Sequence, residues 1–223
     1  MPKIAAGVVK FQEEAFPKRK ELFDKLSTGQ NPEALFITCS DSRISPNLMT
    51  STDPGELFII RNAGNIVPPH TTHTGGTTAS IEFAVGALGV KHIVVCGHTQ
   101  CGAMKGAMNP EGLDALPHVR EWIGYSRAAV QVVAGQGDKL SDDDKMAMLI
   151  EQNVLLQLTH LKTHPYVAAA LAAGSVQLHG WVYDIKSGEV HAWDEDEGRF
   201  KPVSERYREE VAAHAAQVTA QDH

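Results

Sequence analysis

Two short stretches carry side chains able to do chemistry together: Cys39-Ser40-Asp41-Ser42-Arg43 and His98-Thr99-Gln100-Cys101. They offer two thiolates, an imidazole, a carboxylate and a guanidinium. Two sulfurs and one nitrogen suit zinc, and three protein ligands leave a fourth position open for a reacting molecule. Cys39, His98 and Cys101 are the expected ligands, with one Zn2+ per subunit. His98 and Cys101 stand three apart, so one loop or first helical turn aims both inward. The third cysteine, Cys96, lies within an apolar run and reads as a small buried hydrophobe. Asp41 has two readings. It is a conditional fourth ligand that closes the site, or it accepts a hydrogen bond from a zinc-bound hydroxide. Arg43 favours the second, because a guanidinium two residues on can grip the carboxylate with two prongs. Charge counting adds a pH expectation. Two thiolates cancel the charge of the cation, whereas three neutral histidines leave it intact. Bound water should therefore acidify less on this donor set, and activity should rise toward alkaline pH.

The elements that must position these groups follow from periodicity. Short apolar runs at 34–39, 56–60 and 92–96 read as strands, and 77–88 reads as a helix rich in small residues. Gly97 breaks the third run, and Cys101 opens the next helix. Alternating strand and helix signals a parallel sheet covered on both faces, whose ligands bind at the carboxyl ends of the strands. Cys39 and His98 both fall at such ends. Further on, 116–133 and 145–163 have helical spacing, and Pro165 precedes another helix over 167–173. The stretch 175–185 alternates like a strand, and Ser187-Gly188 turns it into a hairpin with 190–193. Residues 194–197 read as an exposed acidic turn. The expected fold class is α/β: a central, mostly parallel β-sheet flanked by helices, with an N-terminal helical arm and a helical C-terminal half. The arm is expected over 1–30, with Pro17 splitting or kinking it, and a terminal helix over 205–223.

Composition sets the bounds. The chain has 223 residues, 43% of them hydrophobic and 21% charged, which fits one globular domain over 1–223. A formal charge of -7 argues against nucleic acid and anionic membranes as partners. Three cysteines without close even spacing argue against a disulfide framework. The first twenty residues lack an apolar signal core, and no run reaches membrane-spanning length. A cytoplasmic setting is expected, where thiols stay available as ligands.

The two motifs resemble the β-class carbonic anhydrases. The resemblance extends through Pro54-Gly55-Glu56-Leu57-Phe58, Arg61-Asn62-Ala63-Gly64-Asn65 and His179-Gly180-Trp181-Val182-Tyr183-Asp184, and covers nearly the whole chain. It is closest to bacterial members associated with cyanate metabolism and to the plant-like branch. The resemblance implies reversible hydration of carbon dioxide to bicarbonate and a proton. It implies Cys39, His98 and Cys101 as zinc ligands and Asp41 with Arg43 as the catalytic pair. It further implies Gln30, Phe58 and the backbone N–H of Gly102 as substrate-binding groups. It implies a homodimer or homotetramer, with the arm embracing a neighbour and the pocket near the subunit interface. Two positions depart from the pattern. Phe83 stands where plant relatives carry tyrosine, and Phe36 where an allosteric branch carries tryptophan. Arg61 and Tyr183 match the rest of that branch's regulatory bicarbonate site, and with the third residue missing a structural role is preferred for both. His70 and His73, in a loop flanked by proline and glycine, are the first candidates for a proton shuttle.

Rival readings fit less well. Carbon disulfide or carbonyl sulfide hydrolysis would use the same scaffold on other small linear molecules. A dehydrogenase lacks its fingerprint, because Gly135-Gln136-Gly137 has no third glycine and no preceding strand. A zinc deaminase would need a His-x-Glu and a Pro-Cys-x-x-Cys pattern. A non-catalytic, zinc-stabilised interaction protein would leave Asp41 and Arg43 without a purpose.

Overall fold

The computed structural model describes residues 1–72, 74–136 and 139–221. Six strands form one sheet in the order β2-β1-β3-β4-β5-β6: β1 (Ala34–Cys39), β2 (Leu57–Asn62), β3 (His92–His98), β4 (Gln177–Tyr183), β5 (Val190–Asp194) and β6 (Arg199–Pro202). The first four neighbours run parallel, and β4-β5-β6 is an antiparallel meander. Buried parallel strands need apolar side chains on both faces, and β1 is buried from Leu35 to Cys39. Leu35, Ile37, Ile93 and Val95 face one layer of helices, while Phe36, Val94 and Cys96 face the other way.

The helix Asp142–Leu161 is the main support of the first face. Ser141 caps it by accepting from the Asp144 N–H at 3.2 Å, and three aspartates in its first turn complement the helix dipole. It lies close to the sheet because two strand positions lack a side chain. A Cβ on Gly97 would meet Val154 Cγ2 at 2.9 Å, and one on Gly180 would meet Val154 Cγ1 at 2.9 Å. Val154 is fully buried between them.

Several expected elements take another form. The helix expected over 77–88 begins as Gly76–Glu82 and ends in a wide turn, with the Leu88 N–H reaching back to the Phe83 carbonyl. The stretch 116–133 is two helices, Pro117–Ile123 and Arg127–Ala134, joined by one tight turn. The arm breaks at Arg19, just past Pro17. β6 was not anticipated, since four residues with charge and proline carry little strand signal. Asp194 is buried rather than exposed, because Lys201 of β6 folds onto it with Nζ 2.8 Å from Oδ2. No helix among the described residues is long and apolar enough to cross a membrane.

Burial also sets a pH response. His179 on β4 is packed between His92 (Nε2 to Nδ1, 3.1 Å) and the Tyr207 hydroxyl, which shares a hydrogen bond with its Nδ1 at 2.9 Å. Burial, helped by the nearby His92 and Arg206, pushes the His179 pKa from 6.5 down to about 4. Burial lowers His160 and His164 as well. The unfolded chain therefore binds more protons between about pH 4 and 6.5, so stability should fall as pH drops through that window. Urea midpoints measured from pH 7.5 to pH 4.5 should decline, and His179→Gln should flatten the decline. A wild-type midpoint that stays level across the window contradicts this account.

Candidate metal centre

Parallel register brings the two motifs together. Thr38 of β1 lies opposite Cys96 of β3, so Cys39 and His98 emerge side by side at the carboxyl edge. Gln100 then turns through a left-handed conformation (φ 58°), which swings Cys101 back as the N-cap of the helix Gly102–Met108. The ligand atoms of Cys39, His98 and Cys101 all lie within 4.8 Å of one another. All three residues are buried, and they form the one such cluster found among the described residues.

The imidazole is prepared as a ligand. His98 Nδ1–H donates to the Thr99 carbonyl at 2.9 Å, which leaves the lone pair on Nε2. That Nε2 is buried and has no hydrogen-bond partner. An orphaned nitrogen beside two sulfurs fits a zinc ion, whose usual bonds to nitrogen and sulfur are about 2.0 to 2.3 Å. The sulfurs tell the same story. The neighbouring Cys101 thiol, more than the contacts from His98, Gly64 and Asp41, lowers the Cys39 pKa against the opposing effect of burial. Cys101 is pushed up, first by that contact and then by burial and the Cys39 charge, although the N–H groups of Met104 and Ala103 favour its thiolate. One negative sulfur is easy here and two repel. A divalent cation removes that repulsion. Cys96 is different: burial pushes it up to about 12, which suits an inert core thiol.

Asp41 stands at the rim of this cluster, with Oδ2 3.9 Å from His98 Nε2. Both of its oxygens are engaged by Arg43. Nε donates to Oδ1 at 2.9 Å and Nη2 to Oδ2 at 2.7 Å, while the Arg43 backbone N–H adds a bond to Oδ1 at 3.0 Å. The guanidinium is held in turn by the Gln100 carbonyl at 3.1 Å. The Arg43 contact keeps the Asp41 carboxyl well below the usual carboxylate range. Arg61 fixes the loop beneath, donating to the carbonyls of Cys39 (3.1 Å) and Asp41 (2.7 Å). These bonds brace the loop, and they run to backbone carbonyls rather than to an acidic side chain. Phe36 is packed edge-to-face against Trp181 at 6.0 Å.

The remaining candidates lie elsewhere. Gly102 opens the helix beside Cys101. Phe58 pairs in register with Leu35, at the far end of β1 from Cys39. Four residues of strand put them about 13 Å apart along the chain direction. Its ring rests against Phe83, with centroids 6.0 Å apart. Gln30 precedes β1 and lines a cavity with Leu22, Gly55 and Lys91, also at that far end. Within one chain, therefore, Gln30 and Phe58 are not beside the Cys39, His98 and Cys101 cluster. His70 packs against His164 (centroids 5.8 Å) on the loop beyond Ile66, and His73 lies outside the described residues.

A family model described as carbonic anhydrase matches residues 34–190, which include all three candidate ligands and Asp41 and Arg43. The chain belongs to the carbonic anhydrase family, in its β class. A carbonic anhydrase of Pseudomonas aeruginosa is 48% identical over 205 residues, covering 92% of this chain and 93% of that one. One of Synechococcus elongatus is 44% identical over 191 residues, covering 85% and 70% respectively. Among solved structures, the beta-carbonic anhydrase CcaA superposes with a TM-score of 0.88 at 42% identity, covering 91% of each chain. A structure titled for two tetrameric beta-carbonic anhydrases of Sordaria macrospora gives 0.74 at 30% identity, covering 91% of this chain and 98% of that one.

For this carbonic anhydrase the Asp41–Arg43 pair should matter to rate and not to folding. The Arg43 side chain is 47% exposed and that of Asp41 16%, so solvent screens the pair from the arginine side and its contribution to stability is modest. Orientation of a group at the reacting centre is worth far more. Arg43→Gln is expected to leave the urea midpoint at pH 7 unchanged and to slow hydration by about 10- to 100-fold. A variant that unfolds early while keeping its turnover per folded molecule would reverse this assignment.

Proposed function

We propose that this chain hydrates carbon dioxide reversibly to bicarbonate and a proton, using one zinc ion per subunit held by Cys39, His98 and Cys101. The observation that carries the reading is the buried, unpartnered His98 Nε2 flanked by two sulfurs and an arginine-held carboxylate. Zinc bound there would acidify a water molecule and supply the attacking oxygen, less strongly than on three histidines because two thiolates cancel its charge. Asp41, held by Arg43 at the rim of the cluster, would accept a hydrogen bond there and orient the reacting oxygen toward the substrate carbon. Arg43 occupies both carboxylate oxygens and thereby keeps Asp41 from becoming a fourth ligand. Gly102, first residue of the helix after Cys101, would offer its N–H to the product. All three cysteines are free and buried, which suits a reducing, cytoplasmic setting.

Gln30 and Phe58 bind substrate in this reading, and one chain cannot bring them to its own metal. A second copy supplies them across a two-fold interface. The arm supports an assembly of this kind. Helix Pro2–Lys10 buries no residue, and Ile4, Val8 and Phe11 are 66%, 51% and 44% exposed. We read residues 1–223 as one domain whose arm covers a neighbour, in a dimer or a dimer-based tetramer.

Stopped-flow hydration with the zinc-loaded protein tests the chemistry. Activity should climb toward alkaline pH, vanish in Cys39→Ser, and fall steeply in Asp41→Asn with zinc still bound. Inactivity of the fully loaded wild type at alkaline pH would favour a structural zinc site. Faster turnover of carbon disulfide or carbonyl sulfide would move the substrate. Mixed assemblies test the shared pocket. Co-refolding Gln30→Ala with Cys39→Ser should restore about a quarter of wild-type activity, because random pairing leaves one complete site in each mixed dimer. No recovery beyond the parent variants would place Gln30 outside the pocket.

A further inference from the structure

One peptide group in the loop after β2 is held from both sides. The Trp122 indole Nε1–H donates to the Ala63 carbonyl at 2.9 Å. The N–H of that same peptide belongs to Gly64, and it donates to Cys39 Sγ at 3.4 Å. The next carbonyl, that of Gly64, accepts from Asn153 Nδ2 at 3.1 Å. Asn153 is itself fixed, since its Oδ1 accepts from Ser126 Oγ and Gln157 Nε2, each at 2.8 Å. Ser126, Asn153 and Gln157 are at most 1% exposed. Gly64 has φ +82°, and a Cβ there would meet Ala103 Cβ and Met104 Cε at 3.1 Å. Turning this peptide away from the sulfur breaks the Trp122 bond, while the adjoining Gly64 carbonyl stays anchored to the buried Asn153.

We propose that Trp122 is a positioning residue for the metal centre, acting through the Ala63–Gly64 peptide on the sulfur of Cys39. The proposal rests on the zinc reading of that centre and deepens it. Hydrogen bonds in series polarise one another. An indole N–H on the carbonyl makes the peptide N–H a stronger donor. A stronger donor draws electron density from the thiolate and holds its lone pairs in one direction. Groups one step out from a metal ligand tune affinity in this manner. Trp122 comes from the helix Pro117–Ile123, far from both motifs in sequence, and its ring is fixed edge-to-face on Tyr125 at 5.8 Å.

Cobalt-substituted protein gives the readout, through its thiolate-to-cobalt absorption band. Trp122→Phe keeps the ring and deletes the N–H, whereas Trp122→Ala deletes both. The phenylalanine variant should move the band to lower energy and release metal to a competing chelator about tenfold more readily. The alanine variant should move the band no further. A wild-type band and wild-type retention in Trp122→Phe, or a shift confined to Trp122→Ala, would reduce Trp122 to packing. Wild-type protein that takes up no cobalt would instead remove the metal centre itself, and the relay with it.

Discussion

Two cysteine sulfurs and an imidazole packed within 4.8 Å inside a protein can carry two thiolates together only when a cation joins them. Once one of the two sulfurs is ionised, repulsion and burial oppose ionisation of the other. Burial makes the problem worse, because water cannot screen the second charge. The rest of the site is arranged around this conflict. The Thr99 carbonyl fixes the His98 tautomer, Gly64 and the first turn of the helix after Cys101 offer N–H groups to sulfur, and Arg43 removes the nearest carboxylate from competition. Each of these features is compatible with a metal ion held by Cys39, His98 and Cys101.

Keeping one side open is a separate achievement from binding the cation. Asp41 is close enough to approach the cluster and is chemically suited to do so. Three hydrogen bonds from Arg43 hold its oxygens, from the backbone N–H, Nε and Nη2, and the Gln100 carbonyl anchors the guanidinium behind them. Arg61 braces the same loop from below through backbone carbonyls. The left-handed Gln100 is thus part of two tasks, since the turn that presents Cys101 also aims the carbonyl that anchors Arg43.

Much of this was legible in the sequence, for physical reasons that differ by element. β1 was exact because a doubly buried parallel strand is an uninterrupted apolar run bounded by polar residues. Cys39, His98 and Cys101 were legible because their donor set has few other uses. The two-pronged Asp41–Arg43 contact followed from the spacing of two residues. β6 was missed because its stability comes from pairing with β5 and from Lys201 reaching Asp194, both contacts between segments. The helix broken near Ser126 was missed for a related reason. Ser126 is a polar residue inside an apolar helical pattern, and it is buried only because Asn153 accepts its hydroxyl. Trp122 gave no signal at all, since an indole that bonds a backbone carbonyl leaves no motif.

The placement of Gln30 and Phe58 shows where reading along a chain stops being sufficient. Gln30 stands nine residues before Cys39 and looks like a neighbour in the sequence. A strand lies between them, and an extended strand is the conformation that separates two residues most efficiently. Phe58 is separated from the cluster by the same geometry on β2. The parallel register that gathers Cys39 and His98 at one edge necessarily sends residues from the starts of those strands to the opposite edge. No side-chain rearrangement closes such a gap while the sheet stays intact. A pocket that used all of these residues would have to be assembled between copies, and catalysis and association of the chains would then be one problem.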